Sequence, residues 1–271
     1  MEWLDALILG IVQGLTEYLP VSSSGHLEIF KEILGIDLPA SDSMQFDIIV
    51  HAATVCSTLV ILWPMFSRLC ASFFTFKRDY DFWYVCKILV SCIPIAVVGF
   101  CFKDDIEAFF SGGLTIVGIC LCVTAVLLTF AHFSDRIFRN RASHDITWFD
   151  SFVIGCAQAV AVLPGLSRSG TTIATGILLG DRKDQMAQFS FLMVIIPILG
   201  ETLLSIKEIV SPDYVAGANE AGTTALIVGF VAAFIVGCCA CKWMIEVVKK
   251  GKLVWFAVYC LVMGVVCLLW Q

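Results

Sequence analysis

The 271-residue chain is 59% hydrophobic, carries only 15% charged residues and has a formal net charge of −6. A soluble domain usually carries about 25% charged residues, so this composition excludes an ordinary soluble protein. The acidic balance also argues against a nucleic-acid partner, which requires a basic face. We therefore expect an all-α, polytopic membrane protein that forms a single membrane domain over residues 1–271. The 13 cysteines are scattered through apolar runs and lack the spacing of a zinc site, so they are interpreted as small apolar fillers.

Two hairpin-like segments and about six spans are predicted along the chain. The first segment, residues 1–35, begins apolar, is interrupted by a proline and a serine- and glycine-rich stretch, and ends in a short apolar run. The segment 148–181 has the same form. Non-helical backbone at membrane depth is tolerated only inside protein or along a wet cavity, so both are predicted to be re-entrant helix–loop–helix hairpins. The spans, which need about 20 mainly apolar residues each, are expected at about 43–66, 83–102, 113–133, 186–206, 222–243 and 252–270.

The two halves of the chain resemble each other. A shift of 145 residues superposes matching residues of the two hairpins: Gly10 on Gly155, Gln13 on Gln158, Ser22 on Ser167, Ser24 on Ser169, Gly25 on Gly170, Leu34 on Leu179 and Gly35 on Gly180. These matches predict a duplication, with repeat 1 at about 1–135 and repeat 2 at about 146–271. Each repeat then holds one hairpin and three spans. Because three is odd, the second repeat is expected to be inverted relative to the first.

The charges of the loops predict how the chain is oriented. Basic residues lie in alternate loops: Arg68, Lys77, Arg78, Arg136, Arg139, Arg141, Arg182, Lys183, Lys242, Lys249, Lys250 and Lys252. The other loops are acidic, with Asp104, Asp105, Glu107, Asp213 and Glu220. By the positive-inside rule the basic loops are cytoplasmic. Both termini then lie outside, and the two hairpins enter from opposite sides so that their tips can meet near the midplane.

The polar stretch of the first hairpin, residues 13–26, contains a candidate metal site. Gln13 and Glu17 are four residues apart, so a helix places them on one face. Oxygen ligands in this arrangement suit a hard divalent cation, Mg²⁺ or Ca²⁺. The alternative is a buried glutamate that is hydrogen-bonded to its neighbours.

The same stretch contains a candidate anion site. Ser22, Ser23 and Ser24 precede Gly25 and a short helix, and the free N–H groups of a helix start attract anions. Plain helix capping is the alternative. His26 follows directly, and histidine is the side chain best placed to exchange a proton near neutral pH.

The second polar stretch, residues 163–172, places Arg168 in an equivalent setting. It lies between Ser167 and Ser169 and is followed by Gly170, Thr171 and Thr172. The planar, permanently charged guanidinium matches phosphate. Two inverted helix starts, an arginine and a metal would form a site for a strongly anionic ligand such as a diphosphate.

Other ionisable residues have weaker cases. His51 is a candidate for lining the cavity, whereas His132 and His144 are assigned no role. Asp47 and Glu201 are interpreted as interfacial, and Asp145 as a cap before the second hairpin.

These stretches resemble the undecaprenyl-pyrophosphate phosphatase family of bacterial membranes, the type linked to bacitracin resistance. One motif is (E/Q)xxxE, here Gln13 to Glu17 and continuing through LPVSSSGH, and the other is PGxSRSGxT, here Pro164 to Thr172. The resemblance covers essentially the whole chain. It implies hydrolysis of a C55 polyprenyl diphosphate to the monophosphate on the outer face of the cytoplasmic membrane, with a divalent cation. This reaction recycles the lipid carrier for cell-wall synthesis.

The resemblance also implies roles for individual residues. Glu17 and the Gln13 position carry metal and catalytic roles, His26 and Arg168 are catalytic, and the serines hold phosphate. Because Gln13 has one formal charge less than Glu, its direct contact with the metal is left open. The nucleophile is also open: Ser23 deprotonated by His26, or a water activated by His26 or Glu17. The expected partners are the lipid substrate and the bilayer, and a homodimer is left open.

Three other functions remain as alternatives. A transporter or lipid flippase also uses inverted repeats with broken helices. A lipid phosphatase with a nucleophilic histidine fits the SSSGH run, but no matching basic motif lies upstream. An intramembrane Ser–His protease is the third, although Ser167 lacks the GxSxG elbow.

Overall fold

The computed structural model describes residues 1–36, 40–102, 113–138, 142–209 and 222–270. Within these ranges the fold is all-α, as predicted, and the chain forms the following helices: α1 (Trp3–Thr16), α2 (Ser23–Leu34), α3 (Ala40–Ile61), α4 (Trp63–Phe74), α5 (Tyr80–Cys101), α6 (Gly113–His132), α7 (Ser134–Ile137), α8 (Trp148–Val160), α9 (Arg168–Leu179), α10 (Lys183–Met193), α11 (Ile195–Ile209), α12 (Thr223–Lys249) and α13 (Val254–Leu269). The acidic-loop residues Asp104, Asp105, Glu107, Asp213 and Glu220, and the basic residues Arg139 and Arg141, lie outside the described residues.

Both hairpins have the predicted helix–loop–helix form. In the first, α1 and α2 are joined by residues 17–22, and in the second, α8 and α9 are joined by residues 161–167. The second helix of each begins in the same way: Ser22 Oγ accepts a hydrogen bond from Gly25 N at 3.3 Å, and Ser167 Oγ accepts one from Gly170 N at 3.1 Å. The hairpins therefore share their local capping chemistry as well as their sequence pattern.

Four of the described helices are long and apolar enough to cross a membrane: Asp42–Ile61 within α3, Tyr80–Cys101, Gly113–His132 and Thr223–Lys249. The sixth predicted span is the shorter apolar helix Val254–Leu269. Large apolar side chains, among them those of Val60, Ile93 and Phe130, are more than half exposed on the outer surface. A polytopic membrane protein explains this surface, because lipid rather than water covers it.

Two predicted spans are broken where the sequence places a proline. The predicted span 186–206 is two helices that meet at Val194, and Pro197 lies in the first turn of the second. A proline has no N–H to donate to the carbonyl four residues earlier. Here that carbonyl belongs to Met193, and it accepts a hydrogen bond from Cys92 Sγ at 3.6 Å instead. Pro64 separates α4 from α3 in the same way.

Each hairpin packs its first helix against a long helix from the other half of the chain. A Cβ atom on Gly10 of α1 would lie 2.5 Å from the carbonyl oxygen of Gly229 in α12. A Cβ atom on Gly155 of α8 would clash with the carbonyl oxygen of Ser91 in α5. Both glycines thus permit backbone-to-backbone packing that a side chain would prevent.

The packing pattern is reciprocal between the halves. Helix α1 packs on α12, α8 packs on α5, and α6 and α13, which close the two predicted repeats, pack on each other. The helices that exchange partners occupy corresponding positions in the two predicted repeats. The repeats themselves and their inverted orientation in the bilayer remain predictions.

Candidate active site

The loops of the two hairpins touch in the interior of the protein. Ser169 Oγ, at the start of α9, donates a hydrogen bond to the carbonyl oxygen of Leu19 in the first loop at 3.2 Å. A Cβ atom on Gly25 would lie 3.1 Å from Gly165 Cα, and one on Gly170 would lie 3.0 Å from Pro20 Cβ. The structure therefore brings the two polar stretches together, as the sequence predicts.

Glu17 lies at the centre of this contact. It follows the last residue of α1, and its side chain is only 10% exposed. Its Oε2 atom accepts hydrogen bonds from Gln13 Nε2 at 3.0 Å and from Ser23 Oγ at 2.6 Å. The carboxylate thus connects the end of α1 to the start of α2, and it holds the Ser23 hydroxyl with its proton directed at a potential base.

Arg168 and Glu17 line the same narrow cavity. Arg168 is the first residue of α9 and is only partly buried, and its neighbours in the cavity wall include Thr54, Ser169 and Ser190. A helix N-terminus and a guanidinium both favour an anion. The cavity therefore combines one carboxylate with positive charge and hydroxyl groups, which is the polarity that a phosphate bound through a cation requires.

His51 lies beside Glu17, although the case for it from sequence alone was weak. Its Nδ1 atom lies 2.7 Å from the carbonyl oxygen of Asp47, and its Nε2 atom lies 3.6 Å from Glu17 Oε2. Because a carbonyl oxygen can only accept, Nδ1 carries a proton and Nε2 faces the carboxylate. The imidazole is thus oriented by α3 toward the central acid.

His26 lies at the start of α2 and its ring is turned toward α13. Its Nδ1 atom lies 2.8 Å from the carbonyl oxygen of Ser22, and its Nε2 atom lies 2.7 Å from the hydroxyl of Tyr259. The two rings are stacked with centroids 5.6 Å apart, and His26 is buried. Both ring nitrogens have partners, so in this conformation the Ser23 proton faces Glu17 rather than His26.

Ser22 has an unusual backbone conformation next to these groups. The backbone φ angle of Ser22 is 71°, which residues other than glycine rarely adopt. Strain of this kind costs about 1–3 kcal/mol and is concentrated at functional sites. It turns the chain so that Ser22 caps α2 while the following residue, Ser23, points at Glu17.

The remaining predicted residues fall around the two helix starts. Ser24 and Ser169 lie 3.4 Å from the capping hydroxyls of Ser22 and Ser167, respectively. Thr172 Oγ1 lies 2.7 Å from Ser190 Oγ in α10, which ties α9 to its neighbour. Thr171 Oγ1 is buried without a hydrogen-bond partner among the described residues.

Gln13 is fully buried beside Glu17. Its Nε2 atom donates a hydrogen bond to Glu17, whereas its Oε1 atom is buried and has no hydrogen-bond partner in the described part of the chain. A buried amide oxygen without a donor is costly, and a cation is one way to satisfy it. The predicted pairing of Gln13 with Glu17 on one helix face is confirmed.

Tyr18 helps to position the candidate site, and sequence analysis did not identify it. Its hydroxyl donates to the carbonyl oxygen of Thr54 at 2.6 Å and contacts the hydroxyls of Ser57 and Thr58. This network fixes the end of α1 against α3, and thereby the position of Glu17. The pairing spans 36 residues, so no local pattern indicates it.

Two other histidines lie elsewhere, as expected. His132 Nδ1 lies 3.0 Å from the carbonyl oxygen of Gly251. His144 lies near Asp150 and Asp181 at the base of the second hairpin.

Comparison with known proteins identifies the family of the chain. Residues 6–266 match the model of the family described as "Bacitracin resistance protein BacA". The chain is 55% identical over 266 residues to an undecaprenyl-diphosphatase of Bacteroides fragilis, covering 98% of this chain and 97% of that protein. It is 53% identical over 271 residues to one of Bacteroides thetaiotaomicron, covering 100% of each, and 37% identical over 270 residues to one of Oceanobacillus iheyensis, covering 97% and 94%. The resemblance seen in the two motifs thus extends along the whole chain, which belongs to the bacitracin resistance protein BacA family.

Proposed function

We propose that the protein hydrolyses undecaprenyl diphosphate to undecaprenyl phosphate and inorganic phosphate. Its relatives are named undecaprenyl-diphosphatase. The observation that carries the proposal is the meeting of Glu17, Ser23 and Arg168 where the two hairpin loops touch. The product is the lipid carrier that cell-wall synthesis reuses.

Binding of the diphosphate rests on the second hairpin and on α2. Arg168 supplies a permanent positive charge, and the free N–H groups at the starts of α2 and α9 supply oriented donors. Together they neutralise charge that builds on the bridging oxygen as the bond to the terminal phosphorus breaks.

The geometry favours Glu17 as the base for a serine nucleophile. Ser23 Oγ, 2.6 Å from Glu17 Oε2, would attack the terminal phosphorus while its proton passes to the carboxylate. The P–O bond to the bridging oxygen breaks, undecaprenyl phosphate leaves, and water then hydrolyses the phosphoserine. A water held by Glu17 could attack directly instead, and the same carboxylate would accept its proton.

The role of His26 depends on its hydrogen bond to Tyr259. In this conformation its Nε2 atom is engaged by the Tyr259 hydroxyl. That hydrogen bond must be exchanged for one to substrate or water before the imidazole takes part in proton transfer. Until then the ring fixes the carbonyl of Ser22, and so the start of α2.

The residues present fit a divalent cation, Mg²⁺ or Ca²⁺, that binds together with substrate. Glu17 offers a carboxylate and Gln13 offers the buried Oε1 atom that has no donor among the described residues. Two protein oxygens do not complete a coordination sphere, but Mg²⁺ commonly takes its other ligands from water and substrate phosphates. The cation would neutralise diphosphate charge; the proton transfers remain with Glu17 and its neighbours.

We further propose that the protein lies in the cytoplasmic membrane with its site accessible from the outer face. The distribution of basic loops supports this orientation. The residues named above all come from one chain, and a homodimer remains a prediction.

Phosphate release from undecaprenyl diphosphate by the purified protein in detergent tests the proposal. We expect Arg168→Ala to lower kcat by at least about a thousandfold, since an arginine on a transferring phosphoryl group contributes that much. Glu17→Gln should lower it by about 100-fold or more, because a general base is lost.

Arg182→Ala is the matched control. Arg182 is exposed and forms an ion pair with Asp184 at 2.7 Å outside the site, so turnover should be unchanged. Near-normal phosphate release by Arg168→Ala would contradict the proposal. Lipid movement across vesicles without any phosphate release would favour a flippase.

A further inference from the structure

A second cluster of metal-ligating side chains lies at the base of the second hairpin. His144, Asp150 and Asp181 each offer one ligand atom, and these atoms all lie within 4.8 Å of one another. Among the described residues this is the one group of three or more such side chains. They come from the segment before α8, the first turn of α8, and the residue two positions beyond the end of α9.

The backbone holds the three residues in place. His144 N donates to the carbonyl oxygen of Gly180 at 3.1 Å, and Arg182 N donates to the carbonyl oxygen of His144 at 3.0 Å. Asp150 is fixed by a capping box with Thr147, whose N–H donates to Asp150 Oδ2 at 2.9 Å. Backbone hydrogen bonds thus hold the segments around His144 and Asp181 together, and the Thr147 N–H holds the Asp150 carboxylate at the oxygen that faces His144.

The distances suit an ion of ordinary size. His144 Nδ1 lies 3.7 Å from Asp150 Oδ2 and 3.5 Å from Asp181 Oδ1. An ion held at about 2.1 Å by each ligand in tetrahedral geometry separates neighbouring ligands by about 3.4 Å. The two measured separations match this value, and the third pair of ligand atoms lies within 4.8 Å. On binding, Nδ1 would exchange its present 3.1 Å contact with the carbonyl oxygen of Asp145 for the ion.

Burial and access also suit a bound cation. The side chains of Asp150 and Asp181 are 6% and 0% exposed, whereas that of His144 is 38% exposed. The partly exposed imidazole of His144 gives an ion a way in from the surface, and the two buried carboxylates behind it supply negative charge for a cation.

We propose that His144, Asp150 and Asp181 bind a divalent transition-metal ion of the zinc class, distinct from the cation of the phosphatase site. One imidazole with two carboxylates suits such an ion better than Mg²⁺ or Ca²⁺, which prefer all-oxygen ligands. Water completes the coordination. The ion ties the start of α8 to the end of α9 and so closes the base of the hairpin that carries Arg168.

Zinc binding to the purified full-length protein tests this proposal. All variants carry Glu17→Gln, so that the phosphatase site contributes no carboxylate. Equilibrium dialysis with metal analysis should give one zinc per chain in this parent, and Co²⁺ should give the visible spectrum of a low-coordinate site. Asp181→Asn and His144→Ala should each weaken zinc binding at least about tenfold, since even indirect partners of a metal site contribute that much.

Asp145→Asn is the matched control, because Asp145 is an exposed neighbouring carboxylate that bonds Gln185 and Arg182. It should bind zinc like the parent. Zinc should also raise the Tm of the parent and of this control but not of the two ligand variants. If Asp181→Asn does not fold, the half-exposed His144→Ala decides. Zinc affinity equal to that of the parent in the ligand variants, or no zinc bound by the parent, would overturn the proposal.

Discussion

At the scale of single residues, the site is organised by hydrogen bonds that converge on one carboxylate. Glu17 Oε2 accepts hydrogen bonds from Gln13 Nε2 and Ser23 Oγ, and His51 Nε2 lies 3.6 Å from the same oxygen. A carboxylate that accepts a proton during the reaction becomes neutral, and a nearby imidazole influences how readily this happens. His51 is therefore a candidate member of the functional site even though it lies outside both motifs.

We expect His51→Ala to lower kcat at least about tenfold, because a group that positions and polarises the general base is lost. The measurement is phosphate release under saturating substrate, together with the pH profile of kcat, which should shift if the imidazole tunes Glu17. His132→Ala is the control, since that ring contacts a backbone carbonyl outside the site. Unchanged kcat and an unchanged pH profile would remove His51 from the site.

Many residues of the candidate site could be predicted from the sequence. The residues that were missed share one cause. Gln13, Glu17, Ser23 and Arg168 stand out because polar residues interrupt apolar segments. Tyr259 does not, because it lies within an apolar helix and its partner His26 is 233 residues away in sequence. A contact of this kind depends on which helices pack together, and a single sequence carries no local signal for it.

At the scale of helices, close packing sets the position of each hairpin. Gly10 permits α1 to approach α12, and Gly155 permits α8 to approach α5. The sequence indicated that these two glycines occupy equivalent positions, but it did not indicate which helices they face. The helix breaks near Pro64 and Pro197 agree with the rule that proline lacks a backbone donor, but Pro94 lies inside the continuous helix α5, so the rule alone does not locate the breaks.

Gly10→Ala should destabilise the protein by about 1–3 kcal/mol, since the added Cβ must displace backbone rather than a flexible side chain. A lower Tm in detergent is the measurement, and activity should fall with it because α1 carries Glu17. The control is Gly99→Ala in α5, where a Cβ would meet nothing within 4 Å. There the substitution should be neutral or slightly stabilising. Equal Tm values for the two variants would show that α1 and α12 are not packed this closely.

At the scale of the whole molecule, the proposed head-group site and the apolar outer surface are separate. The polar groups meet inside the helix bundle, whereas the outer face is covered by exposed apolar side chains such as Ile93, Phe130 and Ile235. Each buried CH₂ of a tail adds about 0.8 kcal/mol of binding. Because the tail keeps its contacts in the transition state, we expect it to stabilise the bound substrate and the transition state equally.

Farnesyl diphosphate should therefore be hydrolysed with a similar kcat and a raised KM compared with undecaprenyl diphosphate. Uniform binding changes KM without changing kcat. Initial rates of phosphate release at several substrate concentrations, in one detergent, provide the comparison. A kcat that falls steeply with the shorter chain would instead show that the tail helps to assemble the catalytic groups.

The hydrogen bond from Ser169 to Leu19 has a consequence for the history of the chain. It joins one half to the other at the place where the reacting groups assemble, so neither half contains a whole site. If both halves descend from a single ancestral unit, that ancestor had to dimerise before it could work. On that history, fusion of two copies into one polypeptide would have replaced an encounter that depends on concentration with an intramolecular one. The fused copies would then have been free to diverge, one retaining the acid and the other the guanidinium.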